Sequence, residues 1–101
     1  MATTAKAFAR TAASTTTTTT LYTVPASTTA IITNIVVTNT AGLGATYTLA
    51  LDGVNLATTV TIGAFDSIVI DMKQVLAATK TITGGASATT VNFHISGIEI
   101  V

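Results

Sequence analysis

The chain has 101 residues, 49% of them hydrophobic and only 8% charged, with a net charge of zero and no cysteine. That length allows a single domain with a modest core. Four scattered basic residues give no electrostatic basis for binding nucleic acid, and without cysteine neither a disulfide framework nor a thiolate zinc site can form.

Charged residues make up about a quarter of an ordinary soluble domain, so another residue type must keep this surface wet. Threonine is the commonest residue here. It is β-branched and suits strands, while its hydroxyl solvates an exposed face. A surface so poor in charge favours a protomer that hides part of itself in an oligomer or against a larger assembly, over a free-standing neutral β-domain. No run approaches the ~18 apolar residues of a membrane helix. Lys6 and Arg10 are followed by Thr11, alanines and threonines, not by the apolar run of a signal peptide. The expectation is a protein made in a cytoplasm, with no membrane and no nucleic acid among its partners.

Residues 1–14 stand apart in composition. They are alanine-rich, hold Lys6 and Arg10, and carry Phe8 as their one large apolar side chain beyond the initiator. A short helix there would be unstable alone. The segment reads either as a frayed terminus or as an arm ordered by a partner, with Phe8 as anchor and Lys6 and Arg10 reaching carboxylates. Residues 15–20 are a homopolymer tract of six threonines, read as an extended linker or the first half of an edge strand. The expected division is therefore 1–20 as extended arm and threonine-rich linker, and 21–101 as body.

In the body, residues 21–24 read as a strand stopped by Pro25, with a turn over Pro25, Ala26 and Ser27. Residues 28–40 read as a strand with apolar residues on both phases: Ile31, Ile35 and Val37 on one, Ile32 and Val36 on the other. Such a strand is covered on two sides or bends part-way. After a loop at 41–44 comes the strongest local signal, residues 46–62. Apolar and polar residues alternate on each side of Asp52-Gly53, a pair that tolerates the positive φ of a type I′ hairpin turn. A two-residue loop pairs Leu51 with Val54, Leu49 with Leu56 and Tyr47 with Thr58, which puts the apolar residues on one face.

A connection at 63–66, with Phe65 tucked beneath it, leads to a strand at 67–72. Residues 73–78 offer one helical turn. Residues 80–83 read as a short strand ending at a flexible Gly84-Gly85 break. The last strand, 90–101, changes phase between Ile95 and Ile98, and a β-bulge at Ser96-Gly97 would restore the inward direction. Seven or eight strands at this spacing predict an all-β fold, an antiparallel β-sandwich resembling a jelly roll, with the arm attached.

Residues for chemistry are scarce. His94, the one histidine, lies on the strand phase opposite Phe93 and Ile95 and reads as a surface or interface residue. Asp52 serves the hairpin and Asp66 a turn. Asp71 and Glu99 read as strand residues that pair with Lys73 or Lys80, each pair contributing at most about 1 kcal/mol. No carboxylate spacing asks for acid/base work, no hydroxyl has a base beside it, and the glycines form no phosphate loop. Tyr22, Tyr47, Phe65 and Phe93 read as packing aromatics ahead of a sugar-binding surface. Neither enzyme activity, cofactor nor metal is expected.

Two stretches carry a resemblance. The basic-apolar start, the threonine tract and LYTVPASTTAIITNIVVTN resemble the opening of small structural proteins of tailed bacteriophages. ATTVNFHISGIEIV is similar to their closing strand, and Val75, Leu76, Ala78 and Ile82 match a further spaced element. The resemblance implies a virion protein, a capsid decoration (cement) protein that binds the major capsid protein or another virion protein, or else a head or tail appendage that recognises the host. It also implies a homo-oligomer, a trimer where capsid subunits meet, with residues 1–14 (Lys6, Phe8 and Arg10 among them) facing the capsid. It brings no catalytic residues.

Overall fold

Period-two alternation runs through almost the whole chain, and the computed structural model, which describes residues 2–101, turns it into eight strands. They are β1 (Thr3–Ala12), β2 (Thr20–Thr23), β3 (Thr29–Asn39), β4 (Ala45–Leu51), β5 (Val54–Ile62), β6 (Ser67–Leu76), β7 (Thr81–Ala86) and β8 (Val91–Ile100). All pair antiparallel, in two four-stranded sheets ordered β1-β8-β3-β6 and β2-β7-β4-β5. Each sheet alternates strands from the two halves of the chain, which is the double Greek key of a jelly roll. The body measures 46 × 21 × 17 Å.

The core lies between the sheets. Ile32, Ile35, Val37, Phe93 and Ile95 come from the first sheet, and Leu49, Ile62 and Ile82 from the second, all essentially without solvent contact. Tyr47 meets Phe93 edge-on, with ring centroids 6.4 Å apart. Each such side chain contributes roughly 1.5–3 kcal/mol by leaving water.

Two expectations for the N-terminal region change. Residues 3–12 are no arm: they form β1, paired with β8 from Thr3–Ile100 to Ala12–Asn92. Met1, the first residue of the expected arm, lies outside the described residues. The threonine tract turns at 16–19 and runs along β7, with Ala86 N donating to Ser14 O and Gly84 N to Thr19 O. It is thus part of the body.

The hairpin forms as expected at its turn: Asp52 and Gly53 have φ of 53° and 75°, and Leu51 pairs with Val54. Beyond the turn the register departs from a simple ladder. Leu49 pairs with Ala57 and Tyr47 with Val60, because β5 carries two extra residues. At the second, Thr59 sits at φ 48° and its amide donates to Thr48 Oγ1 at 3.1 Å. Ala57 and Val60 therefore pack inward, while Leu56 and Val54 are left 41% and 72% exposed.

Three further expectations are corrected. Residues 73–76 extend β6, and the described residues contain no helix: pairing with β3 down to Ala30–Leu76 outweighs the weak helical preference of one turn. Gly84 and Gly85 are no break but the middle of β7. A Cβ on Gly84 would sit 2.7 Å from Leu49 Cδ2, and one on Gly85 2.4 Å from Thr16 O, so the threonine tract can cross only over glycine. Phe65 is not tucked under its turn but is 77% exposed.

The bulge expected in β8 appears one strand away on either side. Opposite Ser96, β1 inserts Phe8 and β3 inserts Thr33, whose Oγ1 donates to Ser96 O. β8 itself keeps its alternation, so Ile98 and Ile100 point outward. The apolar residues on both phases of β3 have the same origin. Thr33 shifts the inward set from Ile32 to Ile35 and Val37, leaving Ile31 and Val36 on the outer face.

Candidate interaction surfaces

Two long strand neighbours, β1 and β8, bring Lys6 and Glu99 together near the terminal end of the sandwich, and β2 adds Tyr22. Lys6 Nζ lies 3.3 Å from Glu99 Oε2, and the Tyr22 hydroxyl donates to the same oxygen. Phe8 stacks on Tyr22 with centroids 4.4 Å apart and is 7% exposed. The Tyr22 hydrogen bond first, and Lys6 after it, hold the Glu99 carboxyl below its ordinary range against the opposing pull of desolvation. Burial, then Glu99, push the Tyr22 phenol well above its ordinary value. The arrangement is a clasp between the sheets.

The three residues expected to contact a partner are thereby separated. Phe8 anchors the chain's own core, and Lys6 reaches a carboxylate of its own chain. Arg10 remains exposed, beside His94 on the outer face of the first sheet. Glu99 pairs with neither lysine expected for it, while Lys80 lies 3.8 Å from Asp52 on the surface. No sequence signal pointed to the Tyr22–Glu99 pair, which is 77 residues apart and made by sheet topology alone. Asp66 does bond locally, accepting from Ser67 N at 2.8 Å. Among the described residues no three of His, Asp and Glu gather as metal ligands would.

Three surfaces display uncovered apolar groups. At one end, the loops at 40–44 and 63–66 hold Leu43 and Phe65, 80% and 77% exposed. These loops are braced. Buried Asn39 donates from Nδ2 to Leu43 O at 2.8 Å and to Gly63 O at 3.2 Å, and its Oδ1 accepts from Ala41 N and Thr90 Oγ1. Phe65 N donates to Ala41 O, and the Phe65 ring lies against Gly42, with Phe65 held at φ 56°. A bulky residue in that region is strained, and the surrounding bonds hold it there.

At the opposite end, Leu51, Val54 and Leu56 line a recess of about 180 Å³ with Gln74. That is well below the ~300–1,000 Å³ of typical small-molecule sites. The third surface is the outer face of the first sheet. One row crosses all four strands as Ala5, Ile98, Ile31 and Val75, and another as Arg10, His94, Val36 and Val69. The outer face of the second sheet differs: Thr46, Thr48, Thr61 and Thr83 dominate it, and the threonine tract crosses part of it.

No protein-family model matches this chain, and no curated protein is similar to it at a significant level.

Proposed function

We propose that this chain is a structural protein of a bacteriophage virion, a decoration protein that attaches to the head lattice and stabilises it. The observation that carries the reading is the braced loop end, where Leu43 and Phe65 stand almost fully in water on a platform tied together by Asn39. Two large apolar side chains held in place lose little freedom on docking, as in a preorganised hot spot. The resemblance of LYTVPASTTAIITNIVVTN and ATTVNFHISGIEIV to small phage structural proteins supports the same reading, as does the scarcity of charge. The reading assigns no catalysis, cofactor or metal. It moves the attachment surface from the N-terminal segment, which is strand β1, to the loop end.

The test has two arms. Mass spectrometry of purified virions should find the protein. Purified protein should rebind heads stripped of it, and a Leu43→Ser/Phe65→Ser variant should stay folded and bind about 30-fold or more weakly. Absence from virions overturns the assignment, and undiminished binding by the variant overturns the loop end as its contact. A host-recognition appendage is the second reading, favoured by the exposure of the 41–44 loop, and specific binding of the isolated protein to host cells or glycans would select it.

A further inference from the structure

The outer face of the first sheet is uncovered, and its residues are arranged to match a copy of themselves. From the register and the burial pattern of its strands, we infer that two copies of this chain dimerise through this face, about a two-fold axis lying in the interface and parallel to the strands. Such an axis keeps each row at its own height and reverses the strand order, so β1 faces β6 of the second copy and β8 faces its β3. The apolar row then closes on itself: Ile98 meets Ile31 of the second copy, and Ala5 meets its Val75. Val75 and Val69, 65% and 61% exposed in the single chain, become covered.

The charges fit the same operation. Arg10 stands on edge strand β1 and Asp71 on edge strand β6, one row apart in height. After the two-fold, Arg10 of each copy comes within reach of Asp71 of the other, giving two symmetric pairs. Among the described residues Asp71 has no ionic partner in the single chain. Lys73, between Asp71 and Val75 on the same edge strand, is exposed in the single chain and faces the small Ala5 and Ala7 of the second copy's β1, past which its long stem carries the ammonium to solvent.

The area is sufficient. Four strands ~4.8 Å apart, with about ten residues rising ~3.3 Å each, present roughly 600 Å² before side-chain relief is counted. Two such faces together bury about 1,200–1,600 Å², the size of a specific interface. Packed sheets lie about 10 Å apart, a gap that valine and isoleucine side chains from two facing sheets span. The second sheet, coated with threonine and crossed by the 14–19 segment, offers no equivalent.

The inference stands on sheet geometry and is independent of what the protein attaches to. It has a consequence for the proposed function: an axis along the strands points both loop ends the same way. A dimer thus offers two Leu43–Phe65 sites to one surface, and the second engagement gains from the first.

Sedimentation velocity of the full chain over roughly 1–300 µM should show a monomer–dimer equilibrium. Ile98→Asp would bury an unpaired charge and should weaken the dimer about 100-fold or more, whereas Thr61→Asp on the opposite sheet should leave it unchanged. Arg10→Asp and Asp71→Arg should each weaken it, and the double exchange should restore it. Circular dichroism establishes that each variant is folded. A monomer throughout that range, a trimer, a dimer indifferent to Ile98→Asp, or failure of the double exchange to restore association each overturns the inference.

Discussion

Gly97 has the least room for a side chain of the chain's seven glycines. A Cβ there would fall 2.0 Å from Ile31 O and 2.6 Å from Phe8 Cε2, so neither backbone nor ring leaves room for a methyl group. Gly97→Ala should cost about 2–4 kcal/mol, read as a lowered urea midpoint with the slope retained. The Glu99 clasp has a different signature. Its carboxyl titrates below the ordinary value of 4.5 in the folded chain, chiefly through the Tyr22 hydroxyl. Its contribution is therefore complete above that ordinary value and lost as pH falls through the lower folded value. Glu99→Gln should flatten this acid limb, seen in unfolding free energies measured from about pH 2.5 to 7. Tyr22 behaves in the opposite sense: its phenol is raised, so its contribution holds below its ordinary value of 10.0 and declines as pH rises above it.

At the scale of elements, the revised status of β1 matters most. A strand that pairs along its length with β8 and supplies Phe8 to the core cannot be removed as an appendage could. Deleting residues 2–12 should abolish cooperative unfolding, because it bares the β8 edge and opens the core over Phe93 and Ile95. A calorimetric scan without an endotherm, beside a normal one for the full chain, is the expected result. A shortened chain that melts as sharply as the full one would show that β1 is dispensable. β5 illustrates how edges are managed: its two extra residues twist an edge strand out of regular register and so hinder pairing with other chains. β6, at the edge of the other sheet, has a single such irregularity, opposite Thr33.

For the molecule as a whole, the topology predicts slow folding. β1 lies between no neighbours in sequence: its ladder partner β8 comes from the far end of the chain, and β2 finds its partner in β7. Closing such long loops before any contact forms puts folding in the range of milliseconds to seconds, measurable by stopped-flow fluorescence of Tyr22 and Tyr47. A microsecond phase accounting for the full amplitude would contradict this. The scarcity of charge acts at the same scale. With a net charge of zero there is little repulsion between copies, so association depends on which face is apolar.

Alternation and turn chemistry are local properties, which is why the all-β class, the Asp52-Gly53 turn, the inward Phe93 and Ile95 and the outward His94 could all be read from the residues alone. Phe8, the Gly84-Gly85 pair and the phase change after Ile95 carried signals too, but ones open to another meaning. An alanine-rich start looks like an arm until β8 lies beside it, and a glycine pair looks like a hinge until another segment crosses it. Long-range strand pairing settled those, together with the shifted β5 register, the exposure of Phe65 and the Lys6–Tyr22–Glu99 clasp. Each depends on which distant strand becomes a neighbour, and a neighbour's side chain leaves no mark on the periodicity of the strand it packs against.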